Sequence, residues 1–495
     1  MDNFSRNWLI LCISSIAMKS VIIVGAGIAG LSSAIRCASK GLKVCVLEQG
    51  LTAGGVSTSW DRKGYHFEGG IHWLVGSTRR IPHLHRRWKE LGALRENNPI
   101  SFHDPIYEYR CGDVRLTLWT DIERNIREMT AFSPDDSKAI RRFWADIRQA
   151  RAMFCAPASA GDVLASIVRV PAFLLKFPGI LSKTTSEYCS MFKSRHLQGL
   201  ISSMVDPAQN AISLVYTMAC YVAGDNGYPK GGSIGIVRNM LDRAKELGIE
   251  IRYRSKVDKV CVSDAKVRGV LCGGEFYPAD EVIVASDTVK AVEQLFDRPI
   301  EEPWVKDLER FSDPQTCMFL SLGIEAPLKQ YERSQRIELQ KPVEIAGTRQ
   351  QTLFTSIYHD STGYAPEGCC AMTVIMFGDS YTFWKDAKKD GSYREKKAEV
   401  IRTIISELEA FFPEIEGKVA VTDLATPLTY ERYCGTHRGA WMSIWHKGDK
   451  PISIPGRCKS IKGLHFAGFR TLQSGGLPIA MGSGYRVAAT IKAGK

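Results

Sequence analysis

A chain of 495 residues is long enough for two or three domains, and 44% hydrophobic with 24% charged residues excludes a disordered or fibrous protein. The net charge of +12 has three candidate causes: nucleic acid, an anionic membrane surface, or a general surplus of surface lysine and arginine. No zinc-finger, RNA-binding or helix-turn-helix signature appears, so no nucleic-acid partner is expected. The fourteen cysteines are singles apart from Cys369-Cys370 and form no C-x-x-C pair. They read as reduced packing residues in a reducing, cytoplasmic setting.

In chain order, Trp8 to Ala17 is a mostly apolar run of ten residues with Arg6 the only basic residue before it. It is too short to span a bilayer and a poor signal peptide. Met18-Lys19-Ser20-Val21 is a natural start for a first strand, so residues 1–17 are expected to be an extension before the folded domain.

Lys19 to Gln49 then reads as buried strand, glycine turn, helix and second buried strand. Gly25, Gly27 and Gly30 form G-x-G-x-x-G, with Ala26 inside the turn and Ala34 four residues on. Gly25 permits the tight turn, Gly27 lets the backbone approach a pyrophosphate, and Gly30 with Ala34 lets the helix pack closely on the strand. Gly41 suits the end of that helix. Glu48 lies 23 residues past Gly25, where a carboxylate accepts hydrogen bonds from a ribose 2′-hydroxyl and repels a 2′-phosphate.

The turn alone does not separate NAD from FAD; the next residues do. Gly54 and Gly55 follow the acid, and Gly64 to Trp73 reads GYHFEGGIHW. The pattern E-x5-GG-x11-F-E-x-G-I-H-W resembles the phytoene desaturase, carotenoid isomerase and retinol saturase family of flavoproteins, whose cofactor is FAD. The resemblance implies an α/β fold in which a Rossmann-like FAD-binding domain (residues 18–80, 227–294 and 426–495) is interleaved with an α+β substrate domain, an amine-oxidase-like architecture.

Residues 81–226 lose the glycine turns and gain helical spacing, and are expected to be a helical insertion facing substrate or membrane. Ile140, Phe143, Trp144 and Ile147 mark one helix. Val163 to Leu181 is strongly apolar but interrupted by Arg169, Pro171, Lys176 and Pro178, which predicts short helical pieces and no transmembrane helix. Arg169, Lys176 and Lys183 recur every seven residues. They suit lipid headgroups while the apolar residues dip beneath them, a peripheral membrane contact.

Tyr228 to Thr288 returns to the nucleotide domain, with a helix over Ile234 to Leu247 and short strands near Ile249 and Lys256. In the family the latter strand lies against the adenine, which carries Val257 over as a backbone contact. Gly231, Gly232 and Gly235 follow no buried strand, so a second NAD(P) loop is not expected there. Residues 295–425 hold strand-like segments at Cys317 to Ile324, Gln351 to Ile357 and Ala371 to Phe377, expected to form an antiparallel sheet, then a helix over Tyr393 to Phe411. The last segment delivers a strand to Gly468 and, after Ser474-Gly475-Gly476-Leu477-Pro478, a second helix beside the cofactor. Its N-terminal amides would suit the flavin C2 carbonyl, and Gly468, Gly476 and Leu477 are the contacts the resemblance implies.

A flavin takes a hydride at N5 and needs little acid–base help. The residues that can shape the reacting site are His72, Trp73, Tyr433, His437 and Arg438. His83 and His85 make an H-x-H with no third ligand at usable spacing, so no metal is expected. The function implied is an FAD-dependent oxidoreductase acting on carbon–carbon bonds of an apolar polyene, by desaturation, saturation or isomerisation, with electron acceptor or donor unspecified. An amine or porphyrinogen oxidase shares the nucleotide domain, and a non-catalytic flavin- and lipid-holding protein is the reading from another class.

Overall fold

The computed structural model describes residues 18–96, 98–311, 314–445, 447, 454–472 and 475–493. Trp8 to Ala17 and Ser474 lie outside them. The apolar run at Val21–Val24 becomes the central strand (Ser20–Val24) of a five-stranded parallel sheet. On one side it pairs with Lys43–Leu47 and then Glu250–Arg252, on the other with Glu281–Val284 and then Leu464–Phe466. Five strands from three separate stretches of sequence, 20–47, 250–284 and 464–466, therefore supply one sheet. The helix Ile28–Ala38 covers it, and the C-terminal helix Leu477–Thr490 packs so tightly on that helix that a Cβ on Gly484 would lie 2.2 Å from the Ala29 carbonyl oxygen.

The second body is built on a seven-stranded sheet, ordered Val419–Ala425, Cys317–Ile324, Cys370–Phe377, Thr348–His359, Ser334–Ile345, Tyr107–Cys111 and Val114–Leu118. The three strands expected from sequence are present and antiparallel. Two features differ from the expectation. Strand Ser334–Ile345 was not read, because its pattern is polar and its register breaks between Glu338 and Val343, around Lys341-Pro342. The segment 81–226 is also not purely helical: Tyr107–Cys111 pairs in parallel with Ser334–Ile345, so the insertion is stitched into the substrate sheet.

The stretch around Pro171 corrects a further expectation. It is one helix, Ala160–Leu181, with both prolines inside. Each proline removes one amide donor. The carbonyls released belong to Ile167 and Leu174, both on the exposed side, where water can take the bond. The helix is long and apolar enough to cross a membrane by length and composition alone, and little of it is buried. Phe173 and Ile180 anchor it in the helical core around Phe143, Trp144 and Ile147.

Candidate functional site: a dinucleotide cleft opening into an aromatic chamber

One cavity of about 2140 Å³ runs between the two bodies. Drug-sized ligands occupy roughly 300–1,000 Å³, so this one has room for a dinucleotide and a second molecule.

Its first end is made by the glycine turn. Gly25 has φ +100° and donates its amide to the Leu47 carbonyl at 2.8 Å, locking the turn to the second strand. Gly30 faces inward: a Cβ there would sit 1.9 Å from the Gly25 carbonyl oxygen. Gly27 is different, since a Cβ would meet nothing nearer than the Gly54 carbonyl oxygen at 4.0 Å, and the residue lines the cavity. Its backbone is thus presented bare, as a pyrophosphate requires. Glu48 accepts from the amide of Ala26 at 2.6 Å and of Gly50 at 2.7 Å, one bond on each oxygen. Each oxygen keeps a lone pair for a ribose hydroxyl. Gly54 and Gly55 have φ +124° and +60°, and Gly54 donates to the Ala26 carbonyl at 3.0 Å, which closes the loop beside the turn. Val257 lines the same end, on strand Val257–Ser263.

At the junction, Gly468 ends the last strand and Gly476 caps the helix Leu477–Thr490. A Cβ on Gly476 would meet nothing within 4 Å, and Gly468, Gly476 and Leu477 all line the cavity. The buried pair Arg470 Nε to Asp287 Oδ2, at 2.9 Å, stands beside them and was not foreseen. Asp287 caps the next helix as well. Gly231, Gly232 and Gly235 stand outside this cavity. They let the helix Gly232–Glu246 close over the buried Glu68 carboxylate, which accepts from the Ser233 amide at 2.9 Å.

Beyond the junction the walls turn aromatic and aliphatic: Trp73, Phe154, Phe177, Tyr216, Phe354 and Trp441 are among them. Phe154 meets Phe173 and Tyr216 edge-on at 5.6 and 5.2 Å, which joins the chamber wall to the outer helix Ala160–Leu181. His72 and Trp73 stand in the chamber. Burial, and behind it the charges of Arg336 and Arg333, push the His72 imidazole down to about 3, so it is neutral at physiological pH. Tyr433 is at the outer rim of the cleft, 67% exposed, beside Cys434, whose thiol bonds the Gly55 carbonyl. It shapes the dinucleotide end and not the chamber. His437 and Arg438 do not line the cavity, and Arg438 is tied to Asp379 at 2.7 Å. Sequence reasoning missed Arg336, Asp287 and Arg470, for which no motif exists. Among the described residues no cluster of metal-ligating side chains occurs.

A parallel sheet with a bare glycine turn, an acid at the end of the adjacent strand bonded to that turn, and a helix end at the far side of the cleft define a dinucleotide-binding fold. Residues 28–492 match the family described as flavin containing amine oxidoreductase, and the chain belongs to that family. Its cofactor is FAD. Among curated proteins it is similar to the all-trans-retinol 13,14-reductase of Danio rerio, 22% identical, covering 84% of this chain and 76% of that one. The chloroplastic prolycopene isomerase of Daucus carota is 24% identical, covering 95% and 80%. The lycopene-forming phytoene desaturase of Pseudescherichia vulneris is 23% identical, covering 86% and 89%. Among solved structures, wild-type putrescine oxidase bound to putrescine superposes with a TM-score of 0.61 at 16% identity, covering 95% of this chain and 98% of that one. At that identity the likeness shows the fold alone.

Proposed function

We propose that this FAD-dependent oxidoreductase acts on carbon–carbon bonds of an apolar polyene of the carotenoid or retinoid kind. The observation that carries the reading is the aromatic chamber, continuous with the dinucleotide cleft. The retinol, prolycopene and phytoene named for the three relatives support it. Bound FAD supplies hydride exchange with a carbon–carbon bond. The chain's own residues bind, orient and exclude water. Gly25, Ala26, Gly27 and Gly30 seat the pyrophosphate against the helix end, Glu48 takes the ribose hydroxyls, Gly54 and Gly55 close over them, and Val257 backs the adenine. Gly468, Gly476 and Leu477 bring the second helix end to the flavin ring. His72, held neutral, and Trp73 orient the polyene. The division into 18–80, 227–294 and 426–495 for cofactor and 81–226 and 295–425 for substrate follows the same reading.

The apolar substrate arrives from a lipid surface, through the outer helix. Leu164, Ile167, Val168, Leu174 and Leu175 are exposed along it, Leu175 by 85%, while Phe177 of the same helix lines the chamber. One helix thus presents an apolar face outward and the cavity wall inward. The test of the polyene reading is extraction of the purified yellow protein and mass measurement of the apolar compound that comes with it. A polyene supports it; recovery of an amine or a porphyrinogen contradicts it.

A further inference from the structure

One buried cation faces the largely apolar chamber. Arg336, on strand Ser334–Ile345, is 8% exposed and lines the cavity. Its Nε donates to the Ser203 carbonyl at 2.9 Å and its Nη1 to the Gln335 carbonyl at 3.1 Å. The guanidinium stacks over Tyr107 and Phe354, at 4.7 and 5.0 Å from the ring centres. Among the described residues, Nη2 makes no hydrogen bond and no carboxylate lies within ion-pair distance. The other buried arginines differ: Arg470 pairs with Asp287, and Arg110 has Glu108 at 3.8 Å. An arginine cannot shed its proton to relieve burial, so the two carbonyls and two rings offset its desolvation only in part and no opposite charge completes it.

The surroundings point the same way. His72 lines the same chamber, and its Nε2 is buried with no hydrogen-bond partner among the described residues. The carboxylate that does reach this wall, Asp206, is already engaged, by Gln315 Nε2 at 3.0 Å and by the Ala208 amide at 2.9 Å. Gln315 in turn accepts from Gln209 at 3.3 Å. The chamber therefore has a long aromatic body and one end where Nη2 and the second Nη1 hydrogen form a fork with nothing to grip. A carboxylate matches that fork in shape and in charge.

We propose that the substrate is an apolar acid: a polyene chain lying along the aromatic walls, with a terminal carboxylate bound by Arg336 and flanked by His72. This rests on the polyene reading and narrows it, from hydrocarbons to carboxylate-ended amphiphiles. A role for Arg336 confined to stapling its strand to the Ser203 carbonyl would not distinguish an acid from its ester, and that separates the two ideas.

The experiment titrates the holoprotein with retinoic acid, methyl retinoate and β-carotene, following quenching of tryptophan emission from Trp73, Trp441 and Trp445 in the chamber wall. The acid should bind wild type about ten-fold or more tightly than its ester, the worth of one charge-assisted contact. Arg336→Met should abolish that advantage and leave ester affinity in place; Arg336→Lys should keep much of it. Acid and ester binding wild type within about two-fold of each other would overturn the proposal while leaving the polyene reading intact. No quenching by any of the three would remove both. Arg336→Lys keeps the charge and guards against misfolding, and an acid preference retained in a folded Arg336→Met protein would overturn the assignment of the carboxylate to Arg336.

Discussion

Gly27 and Gly30 stand three residues apart in one turn and are glycine for different reasons. A side chain at Gly30 collides with the Gly25 carbonyl, whereas one at Gly27 enters open cavity. Gly30→Ala should therefore destabilise the folded protein by about 1–3 kcal/mol, seen as a lowered Tm. Gly27→Val should keep the wild-type melting temperature of the apoprotein and purify with less than about a tenth of the normal flavin. A yellow, fully loaded Gly27→Val protein would remove the pyrophosphate from this turn. His72 gives a second residue-scale prediction. Its imidazole is held near 3, below the ordinary 6.5, so the unfolded chain takes up a proton that the folded chain refuses. Stability from this group is complete above pH 6.5 and is lost as pH falls from about 6.5 toward about 3. His72→Gln should flatten that part of the urea-midpoint profile between pH 7.5 and 5; an unchanged slope would show that His72 is not buried as a neutral ring. The glycines and Glu48 were legible in sequence because each does a job that only its residue type can do at that spacing. Arg336 was not, since its significance comes from Ser203 and Tyr107, more than a hundred residues earlier in the chain.

At the scale of the element, the outer helix Ala160–Leu181 shows how a correct observation about composition can mislead about mechanism. The seven-residue recurrence of Arg169, Lys176 and Lys183 is real, but Lys176 bonds the buried Asp146 at 2.6 Å, and Tyr188 bonds the same carboxylate at 2.8 Å. Lys176 is an anchor of the helix and not a free headgroup contact. Lys176→Met should lower stability by about 1–2 kcal/mol, the lysine end being partly solvated, measured by urea unfolding; no change would mean that Asp146 finds another partner. Vesicle binding is expected to depend on the apolar face instead. Replacing Leu164, Ile167 and Leu175 together by serine should reduce co-sedimentation with anionic liposomes by roughly 10²-fold or more. Arg169→Gln with Lys183→Gln should weaken it by about 1 kcal/mol for each charge removed, and mainly at low salt. Equal pelleting of wild type and the triple serine variant would place the membrane contact elsewhere. Proline reads as a helix breaker from sequence; what sequence does not reveal is that both prolines face outward, where the freed carbonyls meet water.

The whole molecule is two bodies threaded through each other. The nucleotide sheet takes strands from residues 20–24, 43–47, 250–252, 281–284 and 464–466, and the substrate sheet from 107–118 and 317–425. The nucleotide half was readable because parallel strands buried on both faces are continuous apolar runs ending in glycine turns. The substrate half was read only in part. Strands such as Ser334–Ile345 alternate irregularly, and Tyr107–Cys111 joins its sheet by a long-range parallel pairing that leaves no local trace. This threading is what sets the aromatic chamber against the flavin cleft, and on it rests the claim that the protein reacts FAD with a polyene. The direct test is anaerobic and uses the purified protein in two forms: photoreduced flavin is mixed with a detergent-solubilised polyene, and oxidised flavin with the polyene or with putrescine, while the flavin spectrum and the polyene products are followed together. The account predicts that the polyene is reduced or isomerised at the enzyme, or in the oxidised protein desaturated, and that putrescine leaves the oxidised flavin untouched. Rapid flavin reduction by putrescine, with every polyene recovered unchanged, would contradict it.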